Sequence, residues 1–249
     1  MNRLTRGAAC YRSGSFFRRE DRPLTDDPER RIEQSWRENA AAWTEAVRQG
    51  RIPSRRAGTD AAILAAIRQA APRSVLDVGC GEGWLARALA AEGARVVGID
   101  AAPELIAAAR ALGGAFETLR YEALGAAATI LGAPFDAAVC NFSLLGEDIA
   151  TVLRGIRALL RRNGVLLIQT VHPRVACGDE PYEDGWRLES FAAFGATFLA
   201  SMPWYFRTLE SWDRVVAEGG FTVVERGGPT DPATGRTLSL LLRCLSTTV

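Results

Sequence analysis

The sequence predicts a three-layer α/β sandwich built on a seven-stranded, mostly parallel sheet. Three observations predict it. Short β-branched runs alternate with helical stretches from residue 74 to residue 170, the pattern of repeated βαβ units. Two further strand-like runs close the chain. And 249 residues at 48% hydrophobic content can bury one well-packed domain with an elaboration, or at most two small ones.

Taken in order, residues 1–30 read as a flexible tail. Their arginines lack periodic apolar partners, and Glu20, Asp21, Asp26, Asp27 and Glu29 dilute the positive charge. Residues 31–249 read as the folded domain, opened by a helical cap over 31–72. Trp36, Ala40, Trp43 and Val47 recur at helical spacing, so 32–50 is predicted as one helix that Gly50 stops. Thr59 or Asp60 caps a second helix carrying Ile63, Leu64 and Ile67 on one face. Strands are predicted at 74–78, 95–99, 115–120, 135–141 and 165–170, with helices at 84–92, 103–112, about 123–131 and 148–162. Residues 171–207 break the alternation with aromatics, acids, Pro and Gly. They are too long for an ordinary connection and too aromatic for a linker, and so are expected to form a substrate lid. A helix at 208–218 and strands at 221–225 and 238–245 complete the sheet, the last strand antiparallel.

Composition narrows the function. The net charge of +1 argues against a nucleic-acid or membrane-surface binder. No run of about 18 apolar residues and no apolar leader core exist, so a cytoplasmic protein without a membrane span is expected. Five cysteines without CxxC spacing suggest reduced thiols rather than a zinc site or disulfide frame, and no metal is expected. All thirty basic residues are arginine, so no lysine is available as a base or Schiff-base former.

The chemistry centres on one turn. Gly79, Gly81 and Gly83 follow a predicted strand and open a predicted helix, an arrangement that lets a ligand approach the backbone. The spacing is GxGxG rather than the GxGxxG of dinucleotide binders, and Trp84 would hinder a diphosphate. Asp77, at the strand's end, would repel a diphosphate but suits a cationic amino group. Asp100 ends the next strand, where a carboxylate can hold the two hydroxyls of a ribose. Together they suit a nucleoside with a cationic amino-acid tail.

Residues 75–88 resemble motif I of class I S-adenosylmethionine (SAM)-dependent methyltransferases, of the bacterial small-molecule type. Residues 96–100 resemble the acidic end of that family's second strand, and 135–142 and 159–168 resemble its later strand motifs. The resemblance implies a Rossmann-like sheet and SAM as cofactor. It implies that Asp77, Gly79, Cys80 and Gly81 line the methionine end, with the Cys80 thiol packing inward. Asp100 would hold the ribose beside Ala101. Tyr121 and Glu122 would flank the adenine, and Asn141 and Phe142 would close the methionine side. Arg55 either binds the cofactor carboxylate or is a surface arginine.

On the acceptor side, His172 follows the fifth strand of the predicted sheet and is the single histidine. It is either a general base for an oxygen or nitrogen acceptor or a residue that orients the lid. Trp186, Trp204, Tyr205 and Trp36 either stack on a flat small-molecule acceptor or pack the lid against the N-terminal helices. Methyl transfer to RNA or protein and a non-catalytic SAM-binding module are the alternatives. A monomer or homodimer is expected.

Overall fold

A computed structural model describes residues 17–19, 27–194 and 197–247. Its core is a seven-stranded sheet of β2 (Ser74–Val78), β3 (Arg95–Asp100), β4 (Ala115–Thr118), β5 (Phe135–Asn141), β6 (Leu160–Thr170), β9 (Phe221–Gly227) and β10 (Leu240–Ser246). The order is β4-β3-β2-β5-β6-β10-β9. The first five run parallel, and β10 and then β9 pair antiparallel. Every residue of β2 is buried, as expected of a central parallel strand covered on both faces.

Helices cover both faces. On one side α7 (Ile149–Leu159) and α9 (Leu209–Glu218) pack Leu153, Ile156, Trp212 and Val216 against Leu76, Val78, Ala138 and Leu166. On the other, α3 (Asp60–Ala70), α4 (Trp84–Ala91) and α5 (Pro103–Arg110) pack Ile63, Ile67, Leu85 and Ile106 against Val75, Val96 and Val139. The chain leaves β2 toward β3 and β4, then returns to β5 on the other side. That reversal opens a crevice at the carboxyl ends of β2 and β5, where open α/β sheets bind ligands.

Above this crevice lies a cover made of two sequence-distant parts. The first is α1 (Pro28–Glu38) and α2 (Ala40–Arg48). The second is the lid, whose strands β7 (Gly185–Glu189) and β8 (Met202–Phe206) form an antiparallel hairpin. A short helix, α8 (Pro173–Ala176), leads from β6 into it.

Several expectations need correction. The predicted helix 32–50 is two helices broken at Asn39, whose side chain is drawn into the lid instead of lying on a helix surface. The predicted tail is partly structured. Phe17–Arg19 form β1, pairing with β7 because the lid hairpin offers an open edge of backbone donors and acceptors. Residues 28–30 open α1 behind the Asp27 cap. The rest of 1–26 lies outside the described residues. The expected helix near 123–131 is a 3-10 turn (Tyr121–Ala126) followed by four-residue α6 (Ala128–Leu131). And β6 starts at Leu160, taking three residues predicted as helix. No helix among the described residues is long and apolar enough to cross a membrane.

Candidate active site

The glycine turn and the two carboxylates meet at the crevice. The Asp100 carboxylate accepts from the Gly81 amide at 2.9 Å and from the Ala102 amide at 2.9 Å, so it is bound into the turn it was expected to face. The Gly79 and Cys80 amides donate to the Ile99 carbonyl at 2.8 and 2.9 Å. These donors therefore stitch β2 to β3. A carboxylate has about four acceptor directions, so these two bonds leave Asp100 able to accept more.

Asp77 is buried, and its Oδ2 has no hydrogen-bond partner among the described residues. Burial, and then the charge of Asp100, push its pKa up to about 7. Asn141, two residues beyond the position opposite Asp77, also carries a buried oxygen without a donor. Two unsatisfied buried acceptors side by side at a strand edge are costly unless a donor-rich cation comes to them. That is the fit test for the methionine ammonium of SAM, and the residues pass it.

Gly79 has φ +74°, and a side chain there would run into Ser143 and the Tyr121 hydroxyl. Ser143 donates to the Val78 carbonyl at 2.6 Å, and Tyr121 donates to the Ser143 carbonyl at 3.0 Å. Tyr121 thus reaches the glycine turn itself. Glu122 is exposed at the rim, and Ala101 is half-buried beside Asp100. Phe142 sits at φ +56° and donates its amide to the Gln169 carbonyl at 2.7 Å. The Cys80 thiol packs into the core near Gly98, where burial holds it protonated.

Arg55 lies against the start of α4. Its guanidinium sits 4.3 Å over the Trp84 ring and pairs with Asp60 at 2.8 Å, so it is a placed residue rather than a loose surface arginine. Glu82, between two motif glycines, was missed in the sequence. Its side chain is fully buried and accepts from Arg87 at 2.6 Å and Arg48 at 3.1 Å. Since Arg48 belongs to α2, this pair ties the cover to the turn.

The aromatic residues divide. Trp204 and Phe206 are buried in a core that the lid shares with Ile32 of α1 and with Met202. Trp36 meets Trp43 edge-on at 5.1 Å and Phe191 at 5.8 Å, joining the two parts of the cover. Trp43 lies close to Gly81. Trp186 and Tyr205 remain half-exposed as an edge-on pair at 5.4 Å. The Asn39 amide completes the join: it accepts from the Leu199 and Ala200 amides at 2.7 and 3.2 Å and donates to the Ala200 carbonyl at 2.7 Å.

His172 caps α8 through its carbonyl, and its buried Nδ1 has no hydrogen-bond partner among the described residues. Burial, then Arg174 and Arg226, lower its pKa.

Residues 75–164 match the methyltransferase domain family. Over that stretch the chain is similar to methyltransferase domains. A methyltransferase of Schizosaccharomyces pombe is 31% identical over 169 residues, covering 65% of this chain and 64% of that protein. A ubiquinone biosynthesis O-methyltransferase of Xylella fastidiosa is 41% identical over 106 residues, 41% of this chain and 43% of that one. The chain thus matches less than two thirds of the length of either relative. Among solved structures, a Burkholderia thailandensis 1,6-didemethyltoxoflavin-N1-methyltransferase, crystallised with its substrate and S-adenosylhomocysteine (SAH), superposes with a TM-score of 0.65. The identity is 22%, covering 93% of this chain and 95% of that one. That likeness carries the domain's Rossmann-like sheet across nearly the whole molecule, cover included.

Proposed function

We propose that this protein transfers a methyl group from SAM to an oxygen or nitrogen atom of a small molecule. The observation that carries the proposal is the placing, at one glycine turn, of the bound carboxylate of Asp100 and the buried carboxylate of Asp77, whose Oδ2 has no partner among the described residues. Asp100 would hold the ribose. Asp77 and Asn141 would hold the ammonium, and Arg55 the carboxylate in exchange for Asp60. When bound, SAM supplies a methyl group already activated as an electrophile by its sulfonium, so the protein's work is alignment and exclusion of water.

The chain's own residues are suited to that work. Trp43 and the Glu82–Arg48 pair press the cover onto the turn. A dry cover strengthens every electrostatic contact beneath it. Trp186 and Tyr205, on the lid, would meet the acceptor as it enters. His172 would accept the acceptor's proton while the acceptor's lone pair bonds to the methyl carbon and the carbon–sulfur pair returns to sulfur. Its lowered pKa keeps the imidazole in the free-base form near neutral pH, as that role needs. The near-neutral charge and the enclosed, aromatic cover favour a small acceptor over RNA or protein, and one relative is named as an O-methyltransferase. We place the reaction in the cytoplasm and expect a monomer or homodimer.

The test is turnover. Methyl-labelled SAM incubated with a set of phenols, catechols and nitrogen heterocycles should yield SAH and labelled product in equal amounts. His172→Ala should then lower kcat by about 100-fold or more and abolish the rise of kcat with pH through the histidine's pKa. Unchanged kcat would leave His172 with a lid role alone.

A further inference from the structure

We propose that Gln169 reads the methyl acceptor, its side-chain carbonyl oxygen accepting a hydrogen bond from an N–H or O–H of that molecule. The inference rests on the cofactor reading above and extends it to the acceptor's chemical class.

Gln169 lies near the carboxyl end of β6 and is fully buried. Its Nε2 donates to the hydroxyl of Ser239 at 2.8 Å, and Ser239 is itself fully buried. In that arrangement the amide's carbonyl end points away from Ser239. That end, Oε1, has no donor among the described residues. A buried acceptor left this way is destabilising, and only an incoming donor or an ordered water offsets it.

Its place in the sheet says which donor. Gln169 stands opposite Asn141 in the β5–β6 register, and Asn141 lies two residues beyond Val139, which stands opposite Asp77. The unsatisfied oxygens of Asp77, Asn141 and Gln169 therefore run in a row across β2, β5 and β6, on one face at the carboxyl edge. A cofactor with its ribose at Asp100 on β3 and its ammonium at Asp77 and Asn141 occupies β3, β2 and β5. Gln169 is the next oxygen outward, on the side the cofactor leaves open. Gly58, in the turn Arg55–Thr59, backs onto Leu238, next to Ser239.

An acceptor oxygen at this place favours methyl acceptors that present a hydrogen-bond donor, such as a ring N–H, an amide or a hydroxyl. It disfavours thiols, whose S–H is a weak donor, and carbon acceptors. Gln169 orients the acceptor and takes no proton, because an amide carbonyl is too weak a base.

Sinefungin tests this without knowledge of the acceptor, because it carries an amino group in place of the S-methyl, a donor on the acceptor side. By titration calorimetry the native chain should bind sinefungin about tenfold tighter than SAH. Gln169→Leu should bring the two ligands within about twofold of each other while leaving SAH affinity within about twofold of native. Gln169→Glu should widen the preference, and Ser239→Ala, which frees the amide to rotate, should narrow it about threefold. A sinefungin preference that survives Gln169→Leu and Ser239→Ala, or native protein that binds SAH without preferring sinefungin, would overturn the assignment. Absence of binding by either ligand would instead overturn the cofactor reading.

Discussion

The edge of the sheet and the cover above it are built on different principles. At the edge, the partners that matter are close in sequence: the Gly81 amide and the Asp100 carboxylate are 19 residues apart. In the cover, Asn39 meets Leu199 across 160 residues. The edge is held by backbone stitching and tolerates almost no added atom. The cover is held by side chains: the Asn39 amide, aromatic edges and the Glu82–Arg48 pair. The contrast suggests a rigid half that fixes the cofactor and a releasable half that admits it.

The largest expected effect tests the rigid half. Gly79→Ala combines a positive φ with a collision against Ser143 and Tyr121, and should cost about 2–5 kcal/mol of stability. SAH affinity should fall below detection, whereas Gly50→Ala, where a side chain meets open space, should leave binding intact. Thermal denaturation and calorimetry read both.

Next comes the releasable half. Asn39→Ala strips the partners from the Leu199 and Ala200 amides and should destabilise the cover by about 2–3 kcal/mol. Hydrogen exchange should speed up across β7 and β8 while β2, β5 and β6 keep their protection. Uniform acceleration everywhere would erase the contrast.

A smaller effect follows from Asp77. With its pKa near 7, it must lose a proton to receive an ammonium, so SAH affinity should rise about tenfold between pH 6 and pH 8. Asp77→Asn should bind weakly with no such slope. In the unliganded chain the sign reverses. A folded pKa above the unfolded value near 3.9 means the native state holds the proton more tightly. Asp77's contribution to stability is therefore full below about pH 4 and lost as the pH rises toward 7. The smallest effect is that of Trp186→Ala: its half-exposed edge contact with Tyr205 should cost under about 1 kcal/mol and leave SAH affinity unchanged, with any loss confined to the acceptor's KM.

The same contrast explains what could be read beforehand. Strand order of appearance, the glycine turn, Asp77 and Asp100 were legible because each is written in a local pattern: period, spacing, a carboxylate at a strand's end. The break at Asn39 was not, because helical periodicity runs straight through it and the reason for the break lies in the lid. The burial of Trp204 was not legible either, because an aromatic-rich insert does not reveal which rings face inward. Glu82 carried a readable signal, an acid held between two motif glycines with Arg87 five residues on. Gln169 carried little: its burial and its bond to Ser239 follow from β10 inserting beside β6, a pairing across 70 residues.

The central claim is that the Gly79–Gly83 turn and Asp100 hold one adenosyl ligand between them. Calorimetric titration of SAH into the native chain and into Asp100→Ala tests it most directly. Native protein should bind one SAH per chain, and the variant, still folded, should bind at least about 100-fold more weakly. Equal binding by a folded Asp100→Ala, or binding of NAD in place of SAM and SAH, would contradict it.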